Sequence, residues 1–210
     1  MKELDLLKKD WKKNENAFNQ LSEIDIYKML HQKSSSIVQW IFIISLIEFV
    51  FWIGISLLFD TDTYLEENNR ADIVWYLHLF DVLNYSIILV FIYLFYKNYR
   101  TISTSSSTKL LMQSILKTRK IVQLYVWYNL GMLLLGSFVG VFIAFTSNPK
   151  WDNFNESFAT QPKVTLISIA ILVVVIAGLM GILWGIYRLI YGRLLRRLFA
   201  NYKELKKIDF

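Results

Sequence analysis

The sequence has no cysteine, and it contains little proline, glycine or charge. Its 210 residues include two prolines and eight glycines. The absence of cysteine excludes disulfides, thiolate metal sites, iron–sulfur clusters and cysteine nucleophiles. Charged residues make up 19% of the chain, whereas a soluble domain carries about 25%. The chemistry of the chain therefore has to come from its apolar residues and from the few polar residues among them.

Apolar residues account for 55% of the sequence and are gathered into four long runs. About 20 apolar residues in a helix cross a hydrocarbon core of roughly 30 Å. In lipid only helices and closed barrels satisfy the backbone hydrogen bonds, and these runs lack the alternation of barrel strands. The sequence predicts an all-α, polytopic membrane protein with four transmembrane helices, spanning about residues 37–59, 73–96, 121–146 and 164–187.

The segments around these runs predict three regions. Residues 1–36 form a cytoplasmic amphipathic helical segment, residues 37–191 a four-helix transmembrane domain, and residues 192–210 a basic juxtamembrane tail. The first run follows 36 mostly polar residues and shows no small-residue cleavage pattern. We therefore expect no cleavable signal peptide, and the first span is predicted to insert as a signal anchor.

The placement of Lys and Arg predicts the orientation. Twenty of the 23 basic residues lie in the N-terminal segment, in the connection 97–120 or from Arg188 onward. The other side has Arg70, Lys150 and Lys163. Because cytoplasmic loops carry the excess of Lys and Arg, both termini are predicted to be cytoplasmic.

Aromatic residues cluster near the predicted span ends, as is typical of membrane anchoring. The interpretation is an interfacial belt without a ligand. On the cytoplasmic side it comprises Tyr93, Phe95, Tyr96, Tyr99, Tyr125, Trp127, Tyr128, Tyr187 and Tyr191, and on the outer side Trp75, Tyr76 and Trp151.

Polar residues inside the spans are the candidate site. Glu48 occupies the middle of the first span, where a carboxylate costs at least ~2.5 kcal/mol on insertion scales. The second span contributes His78, Asp81, Asn84 and Tyr85, of which His78, Asp81 and Tyr85 share a helical face. With about 1.5 Å of rise per residue, Asn84 reaches the depth of Glu48. We expect a bond from Asn84 to Glu48, with Asp81 sharing a proton with Glu48 or pairing with His78.

Three roles are open for this intramembrane cluster. It can be a polar clasp that fixes helix pairing, a proton- or cation-binding site, or a contact to a partner helix. Intramembrane acids are often functional, but no basic residue lies in any predicted span to act as a counter-ion.

Small residues four apart form a stripe on each of the last two spans. Such stripes allow close approach of helix backbones. The sequence predicts packing of one stripe against the other, and homodimerisation through a single stripe is the alternative. The residues are Gly136, Gly140 and Ala144 in the third span, and Ala177, Gly181 and Gly185 in the fourth.

The flanking segments carry amphipathic helices. Apolar edges beside lysines predict either a lipid-bound surface or one that enters a protein partner's groove. In the tail, the face made by Leu195, Leu198, Tyr202 and Leu205 is predicted to lie on the lipid surface, and nucleic-acid binding is not expected. The N-terminal edges consist of Leu4, Leu7, Trp11, Ile24, Tyr27 and Leu30.

Catalysis is not expected from this sequence. The chain has two histidines, His31 and His78, whereas a mononuclear His-based iron site needs three or four ligands. No serine stands in a nucleophile motif with a base. We predict no metal, no cofactor and no enzymatic activity.

Three stretches, LDLLKKDWKK, IYKMLHQKSSSIVQWIFIISLIEFVFW and LKTRKIVQLYVWYNL, resemble uncharacterised small membrane proteins of Bacteroidota bacteria. The resemblance covers most of the chain. Members are often labelled carotene monooxygenase-like, but the histidines that an iron site needs are missing here. Such proteins tend to accompany a sigma factor, so the resemblance implies an anti-sigma-like regulator in the bacterial inner membrane.

The leading hypothesis is a non-catalytic membrane regulator or scaffold whose N-terminal helices bind a protein, with a sigma factor as the candidate from the resemblance. The alternative is a small transporter or ion-pathway subunit that uses Glu48 and Asp81. Membrane lipids are expected partners in either case, and the second hypothesis requires a homo-oligomer or other membrane subunits.

Overall fold

The computed structural model describes residues 22–59, 61–67, 70–105, 107–147 and 162–208. These residues are 96% helical, and no strand occurs among them. The five helices are α1 (Glu23–Leu58), α2 (Thr61–Glu67), α3 (Ala71–Ser103), α4 (Thr108–Ser147) and α5 (Pro162–Ile208). All but α2 are long and apolar enough to cross a membrane, as the four runs predict.

Local sequence signals fix several helix ends. Ser22 caps α1 by accepting a hydrogen bond from the backbone N–H of Asp25 at 3.2 Å, which satisfies one of the unpaired donors of the first turn. At the end of α3 the backbone N–H of Thr104 bonds the carbonyl of Arg100. Pro162 is the first residue of α5, a position where its missing N–H costs nothing.

The four long helices form a bundle in which each has two main neighbours. Helix α1 packs against α3 and α5, and α4 also packs against α3 and α5, while α2 lies on α3. We call the end that carries Ser22, the turn between α3 and α4, and Ile208 the basic end. The opposite end, which carries α2, is the loop end.

One part of the core lies midway along α1. It contains Ile41, Phe91, Phe95, Val122, Tyr125, Leu130, Tyr187 and Tyr191. Seven of the eight come from α3, α4 and α5 and enclose the same stretch of α1. This is the part of the bundle that holds the candidate site.

The helices continue well past the apolar runs at the basic end. Helix α5 has 47 residues and is therefore about 70 Å long, more than twice the roughly 30 Å of a hydrocarbon core. We call the continuation, residues 22–36, 97–105, 107–120 and 192–208, the basic-end extension. Its core residues include Leu30, Ile102, Leu111, Ile115, Leu198 and Leu205.

This extension corrects the prediction for the tail. Leu198 is 1% exposed and Leu205 is 0% exposed, so the apolar face of the tail packs on other helices and not on lipid. All four helices present apolar residues here, and burying these against one another removes them from water.

The extension also corrects part of the predicted N-terminal surface. Leu30 is 3% exposed, and the hydroxyl of Tyr27 donates to the carbonyl of Ser105 at 3.1 Å. Both residues therefore tie α1 to the turn between α3 and α4. Of the predicted surface within the described residues, Ile24 stays open, at 77% exposure. Leu4, Leu7 and Trp11 lie outside the described residues.

The predicted packing of the two small-residue stripes is wrong for this chain. A methyl group added at Gly136, Gly140, Gly181 or Gly185 would meet nothing within 4 Å, and Ala177 is exposed. Helices α4 and α5 approach through larger side chains such as Tyr125, Leu130 and Leu183, which keep their backbones apart. The side chain of Ala144 lies outside the described part, and homodimerisation through a stripe stays a prediction.

Candidate functional site

The carboxyl group of Glu48 lies inside the bundle and accepts hydrogen bonds from three tyrosines. Tyr125 of α4 donates to Oε2 at 2.8 Å. On α5, Tyr191 donates to the same oxygen at 3.2 Å, and Tyr187 donates to Oε1. One side chain thus joins α1 to both α4 and α5. We call Glu48 and these three tyrosines the Glu48 cluster.

Packing holds the three rings in place. Tyr187 and Tyr191 are one helical turn apart and so share a face of α5, with ring centroids 5.9 Å apart. Tyr125 stands edge-on to Phe91 and Phe95 of α3, at 5.5 and 5.4 Å. Exposures of 1%, 8% and 2% for Tyr125, Tyr187 and Tyr191 exclude most solvent from the hydroxyls.

The arrangement suits a carboxylate. An ionised glutamate accepts hydrogen bonds only, whereas a tyrosine hydroxyl can donate one, so three donors converge on a group that needs them. Hydrogen bonds between O–H donors and a carboxylate belong to the stronger class. The Glu48 cluster therefore satisfies a polar group inside an apolar run without any lysine or arginine.

The structure corrects the predicted partners of Glu48. Asn84 accepts a hydrogen bond from Tyr128 of α4 at 2.9 Å and makes no hydrogen bond to Glu48. His78 lies 3.1 Å from Asp62 of α2, so its close ion-pair contact is with this carboxylate, while Asp81, one turn away, interacts with it only electrostatically. The predicted site between α1 and α3 is thus wrong in its pairing, because Glu48 faces α4 and α5.

The helices are also offset from the alignment that the prediction assumed. Glu48 is the midpoint of the first predicted span, but its partner Tyr187 is the last residue of the fourth. The middle of the fourth span is therefore displaced toward the loop end, by roughly 17 Å at 1.5 Å per residue when the two hydrogen-bonded side chains are taken to lie at one depth. The depth count holds for α3, because Tyr85 packs edge-on against Phe49, the neighbour of Glu48, with ring centroids 6.0 Å apart. Asn84 thus lies near the level of Glu48, and the rotation of α1 turns the carboxyl group toward α4 and α5.

A cleft of about 480 Å³, with a mainly apolar lining that includes several polar side chains, lies beside the Glu48 cluster. Its lining includes Asp81, Asn84 and Tyr85 of α3 and Asn129 and Ser137 of α4. Tyr187 belongs to both the cleft and the Glu48 cluster. The cleft lining contains no lysine or arginine, and its volume is in the range of small-molecule pockets.

The structure therefore brings together three of the five predicted polar residues. Asp81, Asn84 and Tyr85 share the cleft, whereas Glu48 is connected to it through Tyr187 and His78 faces α2. Gly136 of the predicted packing stripe also lines the cleft. Its missing side chain leaves space there, which is a different role from helix contact.

The three tyrosines of the Glu48 cluster were assigned to the interfacial belt from the sequence, and that assignment is wrong for them. The belt residues Tyr93, Trp127, Trp75 and Tyr76 are 60–70% exposed, as the belt predicts. A usable signal for the cluster was present: a buried carboxyl group without a cation needs O–H donors, and the tyrosine pair one turn apart on the fourth helix supplies two.

Within the described residues, no group of three or more His, Cys, Asp or Glu side chains lies close enough to hold a metal ion. No curated protein and no solved structure matches the chain. One family model, described as Domain of unknown function (DUF8845), matches residues 24–210. The match includes all of the bundle from Ile24 onward, with the Glu48 cluster and the cleft. The chain therefore belongs to this family, DUF8845.

Proposed function

We propose that the protein is a non-catalytic regulator in a bacterial inner membrane, with both termini in the cytoplasm and a soluble protein partner at the basic end. The observation that carries the proposal is the continuity of the helices. Helices α1, α4 and α5 meet at Glu48 and run without a break into the basic-end extension. A rearrangement at the Glu48 cluster would therefore shift the extension, since packed helices move as rigid elements.

The N-terminal segment is the proposed docking element. Ile24, at the start of α1, is exposed, and the predicted apolar edge of Leu4, Leu7 and Trp11 precedes it in the chain. An apolar helix edge of this kind fits a groove on a partner. Because of the resemblance described above, a sigma factor is the first candidate for that partner.

Affinity purification of the full-length protein in mild detergent, followed by mass spectrometry, tests this proposal. We expect a specific soluble protein that is lost when residues 1–21 are deleted and that binds again when both purified proteins are mixed. Deletion to residue 21 leaves the Ser22 cap of α1 intact. The double variant Leu7→Ala with Trp11→Ala is expected to abolish binding.

A matched control is available outside the basic-end extension. Leu189 of α5 and Trp127 of α4 are 54% and 70% exposed, so replacing both by alanine removes the same residue types away from the proposed docking end. Two outcomes would contradict the proposed docking element. The first is binding that persists in the Leu7→Ala with Trp11→Ala variant, and the second is an equal loss of binding in both double variants.

An ion pathway is the second candidate, and the cleft favours it. Asp81 and two asparagines line a cleft whose lining contains no lysine or arginine, and Tyr187 links this cleft to Glu48. A cation or proton that reached Asp81 would meet these amide groups and, through Tyr187, the part-buried carboxyl group of Glu48. The three hydroxyls on Glu48 weigh against rapid exchange, because they occupy the carboxyl group.

Flux into proteoliposomes separates the two candidates. If the pathway exists, the full-length protein conducts protons or cations above the level of empty liposomes. Glu48→Gln and Asp81→Asn then each remove the flux, while Tyr93→Phe, at a lipid-exposed position, leaves it unchanged. Flux equal to that of empty liposomes would eliminate this candidate.

A further inference from the structure

A second polar cavity lies at the basic end, in the groove between α1 and α5. Its volume is about 580 Å³. Helix α1 contributes Gln32, Lys33, Ser36 and Ile37, and α5 contributes Arg197, Ala200 and Asn201. We call it the α1–α5 groove. Its residues belong neither to the Glu48 cluster nor to the cleft beside it.

The α1–α5 groove lies where the first apolar run begins. Ile37 is the first residue of that run, and Lys33 and Ser36 are within one turn of it on the side of the basic-end extension. On α5 the facing Arg197 lies ten residues past Tyr187, the end of the fourth apolar run. The groove therefore lies on the headgroup side of the hydrocarbon boundary, where lipid headgroups and soluble compounds can both reach it.

The lining of the groove is positively charged and rich in donors. Lys33 and Arg197 are exposed cations, and Gln32, Ser36 and Asn201 bring neutral polar groups, while no acidic residue lines it. Behind the groove, Asn201 donates to the hydroxyl of Ser34 at 3.1 Å. Ser34 is 0% and Asn201 8% exposed, so this bond holds the polar wall in place.

We propose that the α1–α5 groove binds the phosphate of an anionic phospholipid headgroup. Arginine matches phosphate oxygens with paired N–H donors, and lysine adds a point charge. At this position the acyl chains of the lipid can follow the apolar surface that extends from Ile37 toward the loop end. A free phosphate compound shares this headgroup chemistry, and the experiment separates the two sources.

Native mass spectrometry of the full-length protein with added phosphatidylglycerol or phosphatidylcholine measures the binding. We expect phosphatidylglycerol to bind more tightly. Lys33→Ala with Arg197→Ala should weaken phosphatidylglycerol binding by roughly fivefold per cation, about 25-fold for the pair. Both side chains are exposed, so the variant should fold, which size-exclusion chromatography can verify. Arg197→Lys should lie between wild type and the double variant, because it keeps the charge and loses the paired donors.

Lys97→Ala with Arg100→Ala is the matched control. These residues are an exposed Lys–Arg pair on α3 near the same end of the bundle, away from the groove. An effect below about threefold supports a localised site. Equal losses in the two double variants, or equal binding of the two lipids, would overturn the proposal. Displacement of phosphatidylglycerol by millimolar inorganic phosphate would assign the groove to a soluble phosphate compound and overturn the lipid assignment.

Discussion

Replacing Glu48 by leucine tests whether the Glu48 cluster stabilises the fold. The substitution removes the acceptor that three buried tyrosine hydroxyls share. Hydrogen bonds between membrane helices contribute about 0.6 kcal/mol on average and up to about 1.7. Three bonds therefore predict a loss of about 2–5 kcal/mol in the free energy of unfolding.

The sign of the change makes this prediction sharp. The insertion cost of a carboxylate, at least ~2.5 kcal/mol, is largely common to both states, because the helices stay in the micelle when the bundle unfolds. Any part that does not cancel favours leucine, so only the three hydrogen bonds can make Glu48 the more stabilising residue. Reversible unfolding of the full-length protein in mixed micelles of mild and denaturing detergent measures the difference. A Glu48→Leu variant as stable as wild type, or more stable, would refute the argument.

A double-mutant cycle then assigns the energy to a contact. Tyr125→Phe alone is expected to destabilise by about 0.6–1.7 kcal/mol. In the Glu48→Leu background it should cost nothing, because the hydroxyl has already lost its acceptor. Tyr93→Phe makes the same substitution at an exposed position and serves as the control. A coupling energy near zero between positions 48 and 125 would show that the bond contributes nothing.

Three further predictions follow from the fold. Leu198 is fully packed in the basic-end extension, so Leu198→Ala should cost about 2–5 kcal/mol in the same unfolding assay. Leu189 is half-exposed on the same helix, and Leu189→Ala should cost much less. Equal costs would contradict the packed extension. Gly140→Ala should raise stability by roughly 0.5–1 kcal/mol, because the added methyl meets open space and the helix gains propensity; a loss of stability would indicate that the stripe is packed in a homo-oligomer. Because the chain has no cysteine, single cysteines can report the orientation of the helices. In intact cells Lys109→Cys should be protected from a membrane-impermeant maleimide, and Lys163→Cys should react with it. The reverse pattern would refute the proposed orientation.

The helical content was predictable because it follows from the solvent. An apolar run of about 20 residues in lipid leaves the backbone no alternative to a helix. Each of the four predicted spans lies within one helix, except that Phe59, the last residue of the first span, follows the end of α1. The helices exceed the spans because apolarity marks only the part that lies in lipid. Ser34, Ser35 and Ser36 do not interrupt α1, since a helix that is packed on its neighbours tolerates three serines.

The partners of Glu48 were not predictable because they depend on how the helices are rotated and shifted. Nothing within the first span states which face points to α4 and α5. The depth count placed Asn84 near the level of Glu48, in agreement with the contact between Phe49 and Tyr85. It could not show that Asn84 bonds Tyr128 while Glu48 bonds Tyr187. Such helix rotations arise from side-chain packing between helices, which no single run encodes.

Whether Glu48 is a structural clasp or couples the membrane part to the basic-end extension can be decided with Tyr191→Phe. This substitution removes the longest hydrogen bond to Glu48, at 3.2 Å, and leaves the bonds from Tyr125 and Tyr187. A clasp predicts a loss of about 0.6–1.7 kcal/mol in the free energy of unfolding and unchanged affinity for the proposed soluble partner wherever the variant is fully folded. Coupling predicts that partner affinity changes under those same conditions, because α5 carries Tyr191 and also contributes Leu198 and Leu205 to the core of the extension. Affinity measured well below the unfolding transition separates the two roles, and an unchanged value would remove the Glu48 cluster from the proposed regulatory mechanism.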